Sequence, residues 1–198
     1  MFKFSRRAKV IIAFVAVVIA GYAMVKLTQG DGSVPQDFTQ SRMQGAIIGQ
    51  TIVNLSNESK TDLAQVNQLD ADHNYAEALA VTSNVVSKSQ AIRDQAVALS
   101  AQIEQMTKAL SGISNFEARQ AALESISSRL ALINQLINYS GDLMNLMDVL
   151  RNRFQGTGGS NAEVQAAVNQ INTDVNAINN FNAQAGQAMD RFDSIIGK

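Results

Sequence analysis

From Ile92 onward the apolar residues recur at alternating steps of three and four, and no other feature constrains the fold as strongly. One series runs Ile92, Ala96, Leu99, Ile103, Met106, Leu110. A second runs Leu123, Ile126, Leu130, Ile133, Ile137, Ser140, Met144, Met147. A third runs Val164, Val168, Ile171, Val175, Ile178, Asn182, Ala185, Met189, Phe192, Ile196. Such steps place every member on one face of a 3.6-residue helix, the seam along which helices pack together. A strand needs alternation with period two, and no stretch of the sequence supplies it. The chain holds one proline in 198 residues, so almost nothing interrupts a helix interior.

The helix boundaries are signed as well. Asn74-Tyr75-Ala76-Glu77, Ser114-Asn115-Phe116-Glu117 and Ser160-Asn161-Ala162-Glu163 share the capping-box spacing. In each, the first side chain (Asn74, Ser114, Ser160) is expected to accept from the amide three residues on. The acid (Glu77, Glu117, Glu163) then reaches back to the cap amide. Gly112, and Gly156, Gly158 and Gly159, read as stops. Helices are therefore expected over about 35–69, 74–111, 115–154 and 161–196. At 1.5 Å per residue each is roughly 50–60 Å long, and short loops make sequential helices antiparallel neighbours. The third carries a second stripe, Leu132, Leu136, Tyr139, Leu143, Leu146, Leu150, and is expected to be the most buried.

Ahead of these helices lies a segment of different character. Val10 to Val25 is 16 residues without a charge, preceded by Lys3, Arg6, Arg7 and Lys9 and followed by Lys26. With Leu27 it reaches across most of a hydrocarbon core of roughly 30 Å, and the flanking lysines can snorkel to the interfaces. The excess of positive charge before the run places the N-terminus in the cytoplasm and the body outside. The organisation expected is a basic stretch over 1–9, a transmembrane signal anchor over 10–27, a linker over 28–34 and an extracytoplasmic domain over 35–198. The fold class is all-α: one transmembrane helix, then an up-down-up-down four-helix bundle with coiled-coil-like packing. The rival reading is a signal peptide cut after Ala23, against which Met24 and Val25 are still apolar.

Charge narrows the partners. Residues 1–30 carry +5 and the other 168 carry −6, which argues against nucleic acid. The chain has no cysteine and one histidine, so thiolate metal sites and disulfides are excluded and most hydrolytic schemes lack a nucleophile or a base. His73 has Asp70, Asp72 and Glu77 nearby, but no converging ligand set, and no metal or other cofactor is expected.

A few residues depart from the apolar pattern. Ser59, Ser89 and Ser140 fall on their stripes at similar heights, with Tyr139 beside them, and form a candidate polar core layer. The plainer alternative is that each hydroxyl bonds back to its own helix. Asn182 interrupts the last seam and is a candidate for setting register. Gly45 and Gly49 allow close backbone approach in the first helix. Met144 and Met147, with the Asn- and Gln-rich face of the last helix, are candidate partner surfaces.

The expected role is structural: a scaffold or accessory subunit, not an enzyme, with the lipid bilayer and an envelope protein or a second copy as partners. The layout resembles the extracytoplasmic four-helix domains of bacterial chemoreceptors, which implies a sensory or ligand-binding module. It departs from them in having no second span and no signalling region after the last helix, so a signal would pass through a partner. Cleavage at Ala23 would instead leave a secreted, membrane-active helical protein.

Overall fold

A computed structural model describes residues 34–197. The basic stretch and the anchor, with Arg6, Arg7, Lys9 and Lys26, lie outside the described residues, as does all of the linker except Val34. The described residues form four helices and no strand: α1 Gln36–Ala71, α2 Tyr75–Ala109, α3 Phe116–Phe154 and α4 Asn161–Ile196. A single 3₁₀ turn, Leu110–Gly112, joins α2 to α3. Among the described residues no helix is long and apolar enough to cross a membrane.

Each helix packs along its successor, α1 on α2, α2 on α3 and α3 on α4. At one end the two loops meet. Arg153 pairs with Asp70 at 3.2 Å, and the Tyr75 ring stacks on Phe154 with centroids 5.6 Å apart. At the other end α1 and α4 meet through side chains. Phe38 lies 5.3 Å from Phe192, and Arg42 grips Asp193 through two bonds of 2.6 and 2.7 Å. Pro35 closes this end against Gly112, where a Cβ would fall 2.6 Å from Pro35 Cγ.

The helix ends show how local chemistry sets the boundaries. Ser160 accepts from the Glu163 amide while Glu163 accepts from the Ser160 amide, both halves of a capping box. The other two expected boxes are corrected. At α3 the cap is Asn115, not Ser114; its Oδ1 accepts from Ala118 N at 3.0 Å, which leaves Glu117 in the first turn without a reciprocal role. Asn has the same reach as Ser for this bond, so the box shifted by one residue. At α2 the Asn74 side chain makes no cap bond, because its amide donates to Glu77 at 2.8 Å instead. At the preceding helix end His73 sits at φ 58°, with its own amide on Asp70 O and that of Asn74 on Leu69 O. This pair of bonds is a Schellman closure with His73 in the position glycine usually takes. Gly156 (φ 72°) closes α3 in the same way.

The α4 seam is buried from Val164 to Phe192 except at Asn182, and the α2 seam from Ile92 to Met106 is buried throughout. The α3 seam needs correction. Ile126, Ile133 and Met147 are buried with the second stripe, but Leu123 and Leu130 are 52% and 48% exposed. Neighbouring helices cover about half of a bundle helix, and α3 carries more apolar stripe than they can cover. Met147 belongs to the core, and Met144 is half-buried. In α1 small residues take four of the nine buried positions, Ser41, Gly45, Ser56 and Ser59. A Cβ at Gly45 would lie 3.4 Å from Leu99, so close approach to α2 is used there; at Gly49 it would meet nothing within 4 Å.

Candidate functional site

The polar residues of the core come from all four helices. Ser59, Ser89 and Ser140 are fully buried and Tyr139 is 1% exposed. The three serine hydroxyls are engaged by backbone. Ser59 donates to Leu55 O at 2.9 Å and Ser89 to Val85 O at 2.8 Å, each on its own helix. Ser140 instead donates across helices, to Ser89 O at 2.7 Å, and ties α3 to α2. Ser125, which the sequence pattern did not single out, ties α3 to α4 through Ala185 O at 2.9 Å. Asn182 is half-buried and reaches solvent, so it is not enclosed as a register-setting asparagine would be.

The α4 member of the layer is Asp174, only 3% exposed. One of its oxygens accepts from Gln170 at a long 3.4 Å, and Oδ2 is buried without a partner. The Asp142 carboxyl of α3 lies within hydrogen-bonding reach. Burial first, then the bond and the like charge from Asp142, push the Asp174 carboxyl up to about 7. Tyr139 feels the same environment. Burial raises its phenol well above the usual value, the neighbouring Ser56 hydroxyl opposes this slightly, and the Asp174 charge adds to the rise. The Asp174 carboxyl is therefore the one that keeps its proton towards neutral pH. The sequence did carry a signal for Asp174. It stands three residues after Ile171 and four before Ile178, at the edge of the seam, where a solvating acid is out of place.

Two open clefts mark the outer side of α3. One, of about 380 Å³, is lined by Arg93, Ile137, Asn138, Gly141, Asp142 and Gln170. The other, of about 530 Å³, lies between α3 and α4 and includes Ser127, Gln184, Gln187 and the Glu124–Arg191 ion pair. Among the described residues no group of three or more His, Cys, Asp or Glu converges as a metal site. His73 bonds Tyr75 Oη through Nδ1 at 2.9 Å.

At the closed end of the bundle, Arg129 of α3 stands near Arg42. Desolvation and the Arg42 charge both lower its affinity for a proton, and its Nε is buried without a partner. Asp193, held by Arg42, is the compensating carboxylate on that side. No protein-family model, curated protein or solved structure matches the chain.

Proposed function

We propose that the chain is a single-pass, membrane-anchored scaffold or accessory subunit. Its extracytoplasmic bundle works by offering helix faces to other proteins. One observation carries the reading: where the exposed large hydrophobics lie. Among the described residues, Met43, Ile47, Val97, Phe116, Leu123 and Leu130 all fall in the half of the bundle that contains Pro35, and only Tyr75 lies at the far end. Single exposed apolar residues are ordinary, but their concentration beside the attachment point of residues 10–27 is what a docking region near a bilayer needs. The uncharged run from Val10 to Val25 and its basic flanks support the anchor.

The test is cross-linking and recovery of the full-length chain in mild detergent. Wild type is compared with Met43→Glu/Ile47→Glu and with Leu123→Glu/Leu130→Glu. The reading expects specific adducts lost in at least one double variant; identical behaviour of all three proteins would refute it.

The cleft at Arg93, Asp142 and Gln170 favours a second reading, a module that binds a small polar ligand, because Arg93 and Asp142 present opposite charges with no ion-pair partner of their own among the described residues. A thermal shift with polar metabolites that disappears in Asp142→Ala would favour it, and no shift with any of them would count against it.

A further inference from the structure

We propose that the outer face of α3 pairs with the same face of a second copy, in parallel, as a short two-stranded coiled coil. This deepens the helix-face reading and rests on it. Phe116, Leu123, Leu130, Ile137 and Met144 are apolar and each stands seven residues from the next. The bundle does not use the start of this series: Phe116 is 67%, Leu123 52% and Leu130 48% exposed, while Ile137 and Met144 are half-buried. That fall follows from geometry. A strict seven-residue spacing drifts by about 20° per heptad around a straight helix, so the line starts facing solvent and turns towards the core. The first half of this line is left exposed by the bundle, and a partner helix laid along α3 would cover it.

The residues between these knobs select the partner. Taking the apolar series as d positions makes Gln120, Ser127, Asn134 and Gly141 the a positions. One asparagine at an a position, Asn134, sets the register of a parallel pair by meeting its symmetry mate, at a cost in stability. No residue on this line from Gln120 to Gly141 is charged. In the same frame Arg119 is a g position and Glu124 the following e position. In a parallel pair, g meets the e position five residues on in the other strand. Arg119 of one copy therefore reaches Glu124 of the other, twice across the two-fold axis. Arg119 already leans outward over the Phe116 ring at 5.8 Å, and Glu124 is held at the surface by Arg191. The face thus matches itself in polarity and charge, and a parallel pair suits two chains anchored in one membrane.

The chain has no cysteine, so single cysteines report the contact directly. Leu123→Cys, Ser127→Cys and Asn134→Cys, with Asn57→Cys as an outward control on α1, are made in the full-length chain in mild detergent and oxidised with copper phenanthroline. All four positions are exposed or on the helix exterior, so the fold tolerates them. The expected result is disulfide dimer at 123, 127 and 134 well above the control, lost when Leu130→Glu or Arg119→Glu is added. Dimer at one of the three positions alone would mean an antiparallel crossing and would overturn the parallel pair. No dimer above control would overturn the proposal. In that case the helix-face reading is judged separately, by whether adducts to another protein form at these positions or are lost in Met43→Glu/Ile47→Glu.

Discussion

Replacing Asp174 by Asn keeps the shape of the side chain and the acceptor for Gln170 but removes a charge that the fold holds reluctantly. Asp174 is 3% exposed and its carboxyl is raised to about 7, against about 3.9 in an unfolded chain. Because the folded pKa is the higher one, the folded state binds the extra proton between these values. Stability from this group is therefore greatest below about pH 4, falls as pH rises towards 7, and stays at its lower level beyond. Three units at 1.36 kcal/mol each set a ceiling of about 4 kcal/mol. Asp142 shares the repulsion and stands at the edge of an open cleft, which brings the expected penalty down to about 1–3 kcal/mol. Asp174→Asn should thus stabilise the protein by about 1–3 kcal/mol at pH 8 and by almost nothing at pH 4. In a domain of this size that is a rise in Tm of about 3–9 °C at the higher pH. Asp142→Asn should recover part of the same gain, since it removes the like charge but not the burial. Thermal melts of wild type and both variants at pH 4, 6 and 8 decide it. A variant destabilised at pH 8, or a difference that does not change with pH, would refute the reasoning.

Other consequences follow from single contacts. Ser140→Ala removes the bond from α3 to the Ser89 carbonyl and should cost about 1 kcal/mol in urea unfolding, because that carbonyl keeps its place in the helix. Asp193→Ala leaves two guanidiniums facing each other and should be more destabilising than Arg42→Ala, which relieves Arg129; a thermal melt showing the reverse order would contradict the pairing. Gly159 has φ 74°, and a Cβ there would fall 2.3 Å from Val149 O, so Gly159→Ala should cost about 2 kcal/mol or more, measured by chemical denaturation.

The last helix was legible almost residue by residue, because its apolar seam stands against a polar background and only one arrangement buries it. The third was not. Leu123 and Leu130 continue a heptad series as faithfully as Val168 and Val175 do, yet α3 carries a second stripe from Leu132 to Leu150 that the core takes, and which residues win is decided by the neighbouring helices. The observed helices begin and end within two residues of the expected boundaries. The caps were not fixed by spacing, since Asn115 and Ser114 can both accept from the first turn and Asn74 can donate to Glu77 as easily as accept from the backbone. In the polar layer, the serines stood out because small hydroxyl residues interrupted apolar stripes. Asp174 was passed over because an acid on a helix is ordinarily solvated, and only its spacing from Ile171 and Ile178 marks it as enclosed. The lone histidine, His73, turned out to be backbone punctuation, which its position after Asp72 does not reveal.

The central claim, a bundle tethered outside the membrane by residues 10–27, is tested most directly by cell fractionation combined with the intact mass of the mature protein and external protease. The expected result is a full-length mass in the membrane fraction with the bundle digested from outside the cell membrane. A mass beginning at Met24 in a soluble fraction, or a full-length chain that external protease cannot reach, would contradict it.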